Sequence, residues 1–424
     1  MNDYEINLAI LPFHKRIQNP VYLTFIFVGI GLLWPWNTIL SASDYYKHDI
    51  FHDTTIWAKI FTSSMMTVST VTSLLFNIWL TERQFGYAKR VVNGLVWEIV
   101  VFILIILIAI IHSNFPLGLN FFALLMLVMI SSTGTALTQN GILAIANHRG
   151  SDMTQAVMLG QAIAGVLPSL VLFLISLFKD PESKSSSNIN FYLFTTVIIS
   201  WICIWLFKSN KLEDSLNYAT DPQPNGEYQE LREIENEVLE KYQIPFSVLY
   251  EKLKYLVLSI FTTFTITMVF AVFASNTSAQ GLPLSDNQFI PLAFSIWNIG
   301  DLCGRFIAEL PYFSKSSFTP YKTLIYSLLR IGLIPMFLPF ILPADNFKII
   351  TDLLYLSLQF MFGLTNGHII SMCFIKIPQN LENSAAKQAA GGFANTFVAT
   401  GLTTGSILSF VFVYIINQLK TSSD

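Results

Sequence analysis

The sequence predicts an all-α integral membrane protein with eleven transmembrane helices, six before and five after a polar linker. Three observations support this fold class. Of the 424 residues 53% are hydrophobic and only 12% are charged, whereas soluble globular domains contain roughly 25% charged residues. The apolar residues form long runs, most of them close to the ~20 residues with which a helix crosses a bilayer. Polar residues, Pro and Gly separate these runs.

Six predicted spans form an N-terminal bundle over residues 20–207, after a polar segment, 1–19, that we expect to be cytoplasmic. The first apolar run has no small-residue cleavage site, so it is predicted to be a span rather than a signal peptide. The third and fourth runs are separated by polar residues and Pro116. The predicted spans of this bundle are 20–43, 57–80, 92–112, 116–147, 153–178 and 190–207.

A polar segment, 208–252, is predicted to be a cytoplasmic linker. Its residues 228–242 have the apolar spacing of a short amphipathic surface helix. Five further spans form a predicted C-terminal bundle over 253–424. Two bundles joined by a linker are typical of secondary transporters, many of which bind their substrate between the bundles. These spans are expected at 253–278, 287–310, 322–343, 349–376 and 389–417.

Lysine and arginine in the short loops predict the orientation of the chain. With a cytoplasmic N-terminus, ten of these residues fall in cytoplasmic loops and five on the opposite side. This excess predicts that the N-terminus and the linker are cytoplasmic. An odd number of spans then places Asp424 on the far side.

The eighth predicted span contains the most informative residues. Charged side chains at the centre of a span each cost roughly 2.5–3.5 kcal/mol on insertion scales, so they normally face protein or a wet cavity. On a helix, one face of this span presents an aromatic ring, an amide, a carboxylate and a guanidinium, while Gly300 and Gly304 lie on another face where a helix can approach closely. We interpret the polar face as a ligand site; the alternative is an ion pair that only holds helices together. The four residues are Phe294, Asn298, Asp301 and Arg305.

Two other spans contain residues suited to a flat polar ligand. In the first span Trp36 and Leu40 share a helical face next to Pro35, and they are either ligand contacts or, for the tryptophan, a membrane anchor. In the fourth span the amide of Gln139 can both donate and accept a hydrogen bond, either to a nucleobase edge or to a neighbouring helix.

Two further charges in apolar runs, Glu98 and Arg330, have no evident partner in the sequence. Structural pairing is the expected role of each. The alternative is that Glu98 or Asp301 titrates and couples transport to protons.

The motifs of several other function classes are absent from the sequence. No phosphate-binding loop, nucleophile elbow or metal-ligand spacing occurs, and the three cysteines, Cys203, Cys303 and Cys373, give no disulfide or zinc pattern. A net charge of −3 gives no reason to expect nucleic acid. We therefore predict no enzyme activity, metal or cofactor. The alternative class is a polytopic membrane enzyme or a receptor that binds a ligand at the polar face of the eighth span.

Six short motifs follow one another along the chain: PWN (35–37), GTALTQN (134–140), GQAIAG (160–165), FTITMVF (264–270), WNIGDLCGR (297–305) and TNG (365–367). In this order they resemble the motifs of the equilibrative nucleoside transporters, with a first span most similar to fungal members. The resemblance covers nearly the whole chain and implies a major-facilitator-like arrangement of the six and five helices. It departs from the family at Ala271, where members often have proline.

The resemblance also implies roles for individual residues. Gln139 matches the glutamine that reads the nucleobase, and Asp301 with Arg305 matches the pair that binds the ribose hydroxyls. Asn298 and Phe294 line the same face. The residues that would enclose the base are Trp36, Leu40 and Phe270.

Together these observations predict a carrier for purine and pyrimidine nucleosides, such as adenosine and uridine, that works by alternating access. A nucleoside is neutral, so the membrane potential does no work on it and facilitated diffusion is expected; proton-coupled transport is the alternative. The expected partners are the nucleoside and the lipid bilayer, with the chain as a monomer. The similarity to fungal members favours an organelle membrane, that of the vacuole, over the plasma membrane.

Overall fold

The computed structural model describes residues 13–52, 54–178, 189–212, 243–314, 318–341 and 347–423. Within these residues the regular secondary structure is helical throughout. The segment 228–242, predicted as an amphipathic helix, lies outside them. The long helices of the described residues are α1 (Pro20–Ser41), α2 (Ile56–Thr81), α3 (Tyr87–Ile111), α4 (Leu117–Arg149), α5 (Ser151–Phe178), α6 (Ile189–Ser209), α7 (Phe246–Asn276), α8 (Asp286–Ala308), α9 (Pro320–Leu329), α10 (Lys348–Gln379) and α11 (Ser384–Ser423).

The prediction of an all-helical membrane protein is confirmed. In the described part of the chain, eight helical segments have the length and apolarity of a membrane span. The remaining long helices, α2, α7 and α8, cover the other three predicted spans but contain more polar residues: serine and threonine in α2 and α7, and the Asp301–Arg305 pair in α8. The total of eleven spans therefore stays a prediction.

The ninth span differs from the single helix predicted over 322–343. The α-helix ends at Leu329, and two 3₁₀ segments follow, Arg330–Leu333 and Pro335–Ile341. Pro335 and Pro339 explain the change, because proline has no N–H to donate and its ring clashes with the carbonyl four residues earlier. The break places Arg330 at the end of α9.

By their contacts the described residues form two compact units. The first unit comprises the described residues of Met1–Gln161, Ser186–Lys252 and Ile377–Thr396, and the second comprises those of Ala162–Ser185, Leu253–Lys376 and Phe397–Asp424. Four of the five boundaries fall inside helices, namely α5, α7, α10 and α11. The bundles predicted over 20–207 and 253–424 stay a prediction.

In the first unit, α3 and α4 approach closely and enclose a buried carboxylate. A Cβ at Gly94 would lie 2.9 Å from the amide nitrogen of Thr138, so only glycine allows this contact. One turn along α3, Glu98 is 1% exposed and accepts hydrogen bonds from Ser131 and Thr135 of α4, each at 2.8 Å. Neutral hydroxyls rather than a cation therefore satisfy Glu98.

In the second unit, α8 packs against α10 through four glycines. Gly300 and Gly304 of α8 face α10, and Gly363 and Gly367 of α10 face α8. A Cβ at Gly367, for example, would lie 2.7 Å from the carbonyl carbon of Asp301. The prediction that Gly300 and Gly304 lie on a close-packing face is confirmed.

A second buried carboxylate, Asp352 of α10, holds the connection between α7 and α8. It is 2% exposed and accepts backbone hydrogen bonds from three successive residues, at 3.0 Å from Gln280, 2.8 Å from Gly281 and 2.8 Å from Leu282. These bonds fix the chain just before α8 begins. The helix that contains the candidate site is thus anchored to α10 both at its start and along its length.

Candidate functional site

Helix α8 begins with a capping box and contains the residues predicted at a ligand site. The backbone N–H of Ser285 donates to Oε1 of Gln288 at 3.1 Å, and the Ser285 side chain accepts a hydrogen bond from the backbone of Gln288 in return. This start fixes the helical register of the residues that follow. At spacings of four, three and four residues, the predicted residues share one face of the helix: Phe294, Asn298, Asp301 and Arg305.

Asp301 and Arg305 form an ion pair in the protein interior. The Nε of Arg305 donates to Oδ2 of Asp301 at 2.8 Å, and the two residues are 4% and 6% exposed. Neither charge could be buried alone without a large desolvation cost. The proximity that the i, i+4 spacing predicts is therefore present.

The other carboxylate oxygen of Asp301 is held from a different helix. Nδ2 of Asn366, in α10, donates to Oδ1 of Asp301 at 2.6 Å. On its far side, Oδ1 of Asn366 accepts a hydrogen bond at 2.6 Å from the hydroxyl of Thr267 in α7. Our reasoning from the sequence missed the role of this amide, although an asparagine between Thr365 and His368 in an apolar run was a usable signal.

Arg330 lies beside this network, and two of its three hydrogen-bond acceptors are backbone carbonyls. Its side chain donates to the carbonyls of Thr263 at 3.2 Å and Phe362 at 3.1 Å, and to the hydroxyl of Thr365 at 3.0 Å. Its guanidinium also lies 4.2 Å from the centre of the Phe362 ring. Arg330 is 2% exposed and is attracted by the charge of Asp301. These hydrogen bonds support the structural role expected of Arg330, which stays a prediction.

Asn298 and Phe294 contribute to packing in this structure. Nδ2 of Asn298 donates to the Phe294 carbonyl at 2.9 Å and to the hydroxyl of Ser169, in α5, at 3.3 Å. A Cβ at Gly165 would overlap the Asn298 side chain, so α5 approaches α8 closely here. Phe294 packs at the edge of an apolar cluster that includes Phe289.

Three predicted site residues belong to the first unit. Trp36 is partly buried and packs against an apolar cluster that includes Phe61 and Phe121. Leu40, one turn later, is 36% exposed. Gln139 lies in α4 and is partly buried. The backbone of Phe270 lies in α7, one turn beyond Thr267, and its side chain lies outside the described part of the structure.

The chemistry that these side chains offer is hydrogen bonding and charge. No group of three or more His, Cys, Asp or Glu in the described part of the chain is arranged to hold a metal ion. Asp301 can accept about four hydrogen bonds through its two oxygens, and Arg305 and Asn366 each donate to one of these oxygens. The carboxylate can therefore accept further hydroxyl donors.

Sequence comparisons support the resemblance that the motifs indicated. A sequence model described as "Nucleoside transporter" matches residues 124–414. The chain is 50% identical to the nucleoside transporter FUN26 of Saccharomyces cerevisiae, over 97% of this chain and 87% of that protein. It is 22% identical to the human equilibrative nucleoside transporter 1, over 93% of this chain and 97% of the human protein.

Solved structures with a similar fold belong to the major facilitator superfamily. The proton:xylose symporter XylE matches this chain with a TM-score of 0.64 at 13% identity, and the match covers 93% of this chain and 88% of the XylE chain. The fucose:proton symporter FucP of E. coli has a TM-score of 0.54 at 12% identity, over 94% of this chain and 93% of its own. At these identities the likeness shows the fold alone. The family match and the 50% identical yeast protein, by contrast, establish descent, and the chain belongs to the equilibrative nucleoside transporter family.

Proposed function

We propose that this chain moves purine and pyrimidine nucleosides, such as adenosine and uridine, by alternating access and facilitated diffusion, and that Asp301 and Arg305 bind the ribose hydroxyls. The buried ion pair on α8 carries the proposal. A charged pair in an apolar span is costly to keep, so its usual role is in a substrate or ion pathway. Nucleosides have vicinal hydroxyls, which match a carboxylate with unused lone pairs.

The proposed contact is a set of charge-assisted hydrogen bonds. Ribose O–H groups donate to Asp301, and the Arg305 guanidinium donates to a ribose oxygen while it neutralises the carboxylate. A hydrogen bond to a charged group contributes about 1.5–3 kcal/mol. A sugar without these hydroxyls loses that contribution, which gives the site a means of selection.

We assign the nucleobase to the other residues that the family resemblance implies. Gln139 is the proposed reader of the base edge, because its partly buried amide can both donate and accept a hydrogen bond. Trp36, Leu40 and Phe270 are the proposed apolar contacts of the base. Phe294 and Asn298 complete the face of α8.

The test is uptake of labelled uridine and adenosine into proteoliposomes that contain the purified protein. Asp301→Asn and Arg305→Gln are expected to lower uptake at least about 10-fold, the loss of one charged hydrogen bond, while melting in detergent shows folded protein. Ser295→Ala is the matched control, because Ser295 also lies on α8 and its hydroxyl donates to the Pro291 carbonyl of the same helix. Normal uptake by both site variants would contradict the ribose-binding role. Absence of uptake by folded wild-type protein would contradict the substrate assignment.

Proton-coupled transport is a second candidate, and Glu98 is the observation that favours it. This carboxylate is 1% exposed and accepts hydrogen bonds from two neutral hydroxyls. Buried acids within membrane spans are typical of proton relays in transporters. Under facilitated diffusion, uridine uptake ignores an imposed pH gradient. Accumulation that requires the gradient, and that Glu98→Gln abolishes, would replace facilitated diffusion with proton coupling.

We also propose that the N-terminus is cytoplasmic, that the chain is a monomer and that it resides in an organelle membrane, the vacuolar one. The loop excess of lysine and arginine, ten against five, supports the orientation. The test is a fluorescent tag at the N-terminus of the protein in isolated vacuoles. We expect a quencher added to the cytoplasmic side to quench its fluorescence. Signal at the plasma membrane would contradict the location.

A further inference from the structure

We infer that Asn366 is a positioning residue for substrate: it fixes the plane of the Asp301 carboxylate for the ribose hydroxyls, and Thr267 fixes Asn366. The inference rests on the proposed function, since it concerns the same carboxylate. Three contacts in series carry it, from Thr267 of α7 through Asn366 of α10 to Asp301 and then Arg305 of α8. Each contact is 2.6–2.8 Å long.

The bond from Arg305 does not by itself determine how the carboxylate is oriented. Arg305 is on the same helix as Asp301 and its Nε holds Oδ2, so the carboxylate can still rotate about its Cβ–Cγ bond. Asn366 donates to Oδ1 from another helix. Two donors on different oxygens and from different helices define the plane, and with it the directions of the remaining lone pairs.

An asparagine amide needs an orienting partner of its own. Turned by 180°, the Asn366 side chain would present its oxygen rather than its N–H₂ to Asp301, and two acceptors would then meet. The Asp301 carboxylate can only accept, so it requires the nitrogen of Asn366 to face it, and Oδ1 of Asn366 then faces the Thr267 hydroxyl at 2.6 Å. This hydroxyl has one proton for two acceptors, Oδ1 of Asn366 and the Thr263 carbonyl at 2.7 Å. It supports the orientation of Asn366 when it donates to Oδ1.

The backbone contact next to Asn366 makes this arrangement rigid. Gly367 meets the backbone of Asp301 so closely that no Cβ fits between them. Asn366 and Asp301 are 3% and 4% exposed, and hydrogen bonds shielded from water are stronger than exposed ones. The amide and the carboxylate are therefore held together by main-chain packing as well as by their own bond.

A positioning role and a purely structural role predict different results. A residue that only joins α8 to α10 affects stability, and it affects all substrates equally. A residue that orients Asp301 affects substrates according to their ribose hydroxyls. The informative comparison is therefore uridine against 2′,3′-dideoxyuridine, with apparent KM and maximal rate measured separately.

The experiment uses the full chain in proteoliposomes. Asn366→Ala and Thr267→Val are expected to raise the apparent KM for uridine, by about 10-fold for Asn366→Ala, the size of one lost hydrogen bond to a charged group. For both variants the KM for 2′,3′-dideoxyuridine changes much less, so discrimination between the two substrates shrinks. Thr267→Ser keeps the hydroxyl and is expected to restore wild-type discrimination. Thr403→Val is the matched control, because the Thr403 hydroxyl donates to the Ala399 carbonyl of its own helix, one turn earlier.

The outcomes separate this inference from the proposed function. Wild-type protein that transports uridine and 2′,3′-dideoxyuridine with equal KM would refute ribose binding by Asp301 itself. Wild-type discrimination that Asn366→Ala and Thr267→Val leave intact would refute only the positioning role. If Asn366→Ala does not fold, Thr267→Val becomes the test, since valine has nearly the shape of threonine. Unchanged discrimination between uridine and 2′,3′-dideoxyuridine in Thr267→Val would overturn the inference.

Discussion

Replacing Gly367 with alanine tests the closest contact between the two helices that hold Asp301. A Cβ at this position would lie 2.7 Å from the Asp301 carbonyl carbon and 3.0 Å from its Cα. Carbon atoms in contact are about 3.5–4.0 Å apart, so α8 and α10 must separate by about 1 Å. Overpacking of this kind costs about 1–3 kcal/mol. Without the close contact, alanine would instead stabilise the helix by about 0.8–1 kcal/mol relative to glycine, so the sign of the effect is diagnostic.

The same displacement weakens the site. Asn366 precedes Gly367, and its 2.6 Å bond to Asp301 would lengthen beyond the range of a good hydrogen bond, about 2.7–3.2 Å. Gly367→Ala is therefore expected to melt at a lower temperature in detergent and to raise the apparent KM for uridine by about 10-fold.

Gly332→Ala provides the control for these measurements. A Cβ at Gly332 meets no atom within 4 Å, so alanine is expected to leave uptake unchanged and to affect melting slightly or favourably. If Gly367→Ala melts at or above the wild-type temperature and keeps the wild-type KM, the close packing of α8 on α10 is wrong.

Two further predictions concern buried charges other than the Asp301–Arg305 pair. Asp352→Ala removes the acceptor of the backbone N–H groups of 280–282 and is expected to destabilise the protein by about 2–5 kcal/mol. Asp352→Asn keeps one oxygen, so its loss of stability is expected to be intermediate. A wild-type melting temperature for Asp352→Ala would contradict the anchoring role. Arg330→Lys leaves a single ammonium in place of a planar guanidinium that donates in three directions. Lysine cannot reproduce this geometry, so the melting temperature of Arg330→Lys is expected to fall by several degrees. An unchanged melting temperature would contradict a structural role of Arg330.

Sequence patterns predicted the helices well because each depends on its own residues. The long apolar runs gave spans close to α1 through α11, and the polar residues before Pro116 separated α3 from α4 as expected. The ninth span was the exception. Pro335 and Pro339 were visible in the sequence, and their missing N–H groups were sufficient reason to expect an interrupted helix.

The candidate site was predictable only where its contacts are local. Asp301 and Arg305 are one turn apart, so helical periodicity alone is sufficient to place them side by side. Asn366 is 65 residues from Asp301, and no periodicity in one helix indicates a partner in another. Arg330 was harder still, since its acceptors are mostly backbone carbonyls, which every residue has and no sequence pattern distinguishes.

Each charged side chain in this network has hydrogen-bond partners, and this affects how an empty carrier could return across the membrane. A facilitated carrier must return empty as well as loaded, and an unpaired charge in the empty site would oppose that return. Here Asp301 has Arg305 and Asn366, while Arg330 has its own acceptors. Under the proposed function, ribose hydroxyls would add to a carboxylate that is already paired, and they would not be needed to relieve a buried charge. The selectivity of such a site would depend on where the lone pairs of Asp301 point.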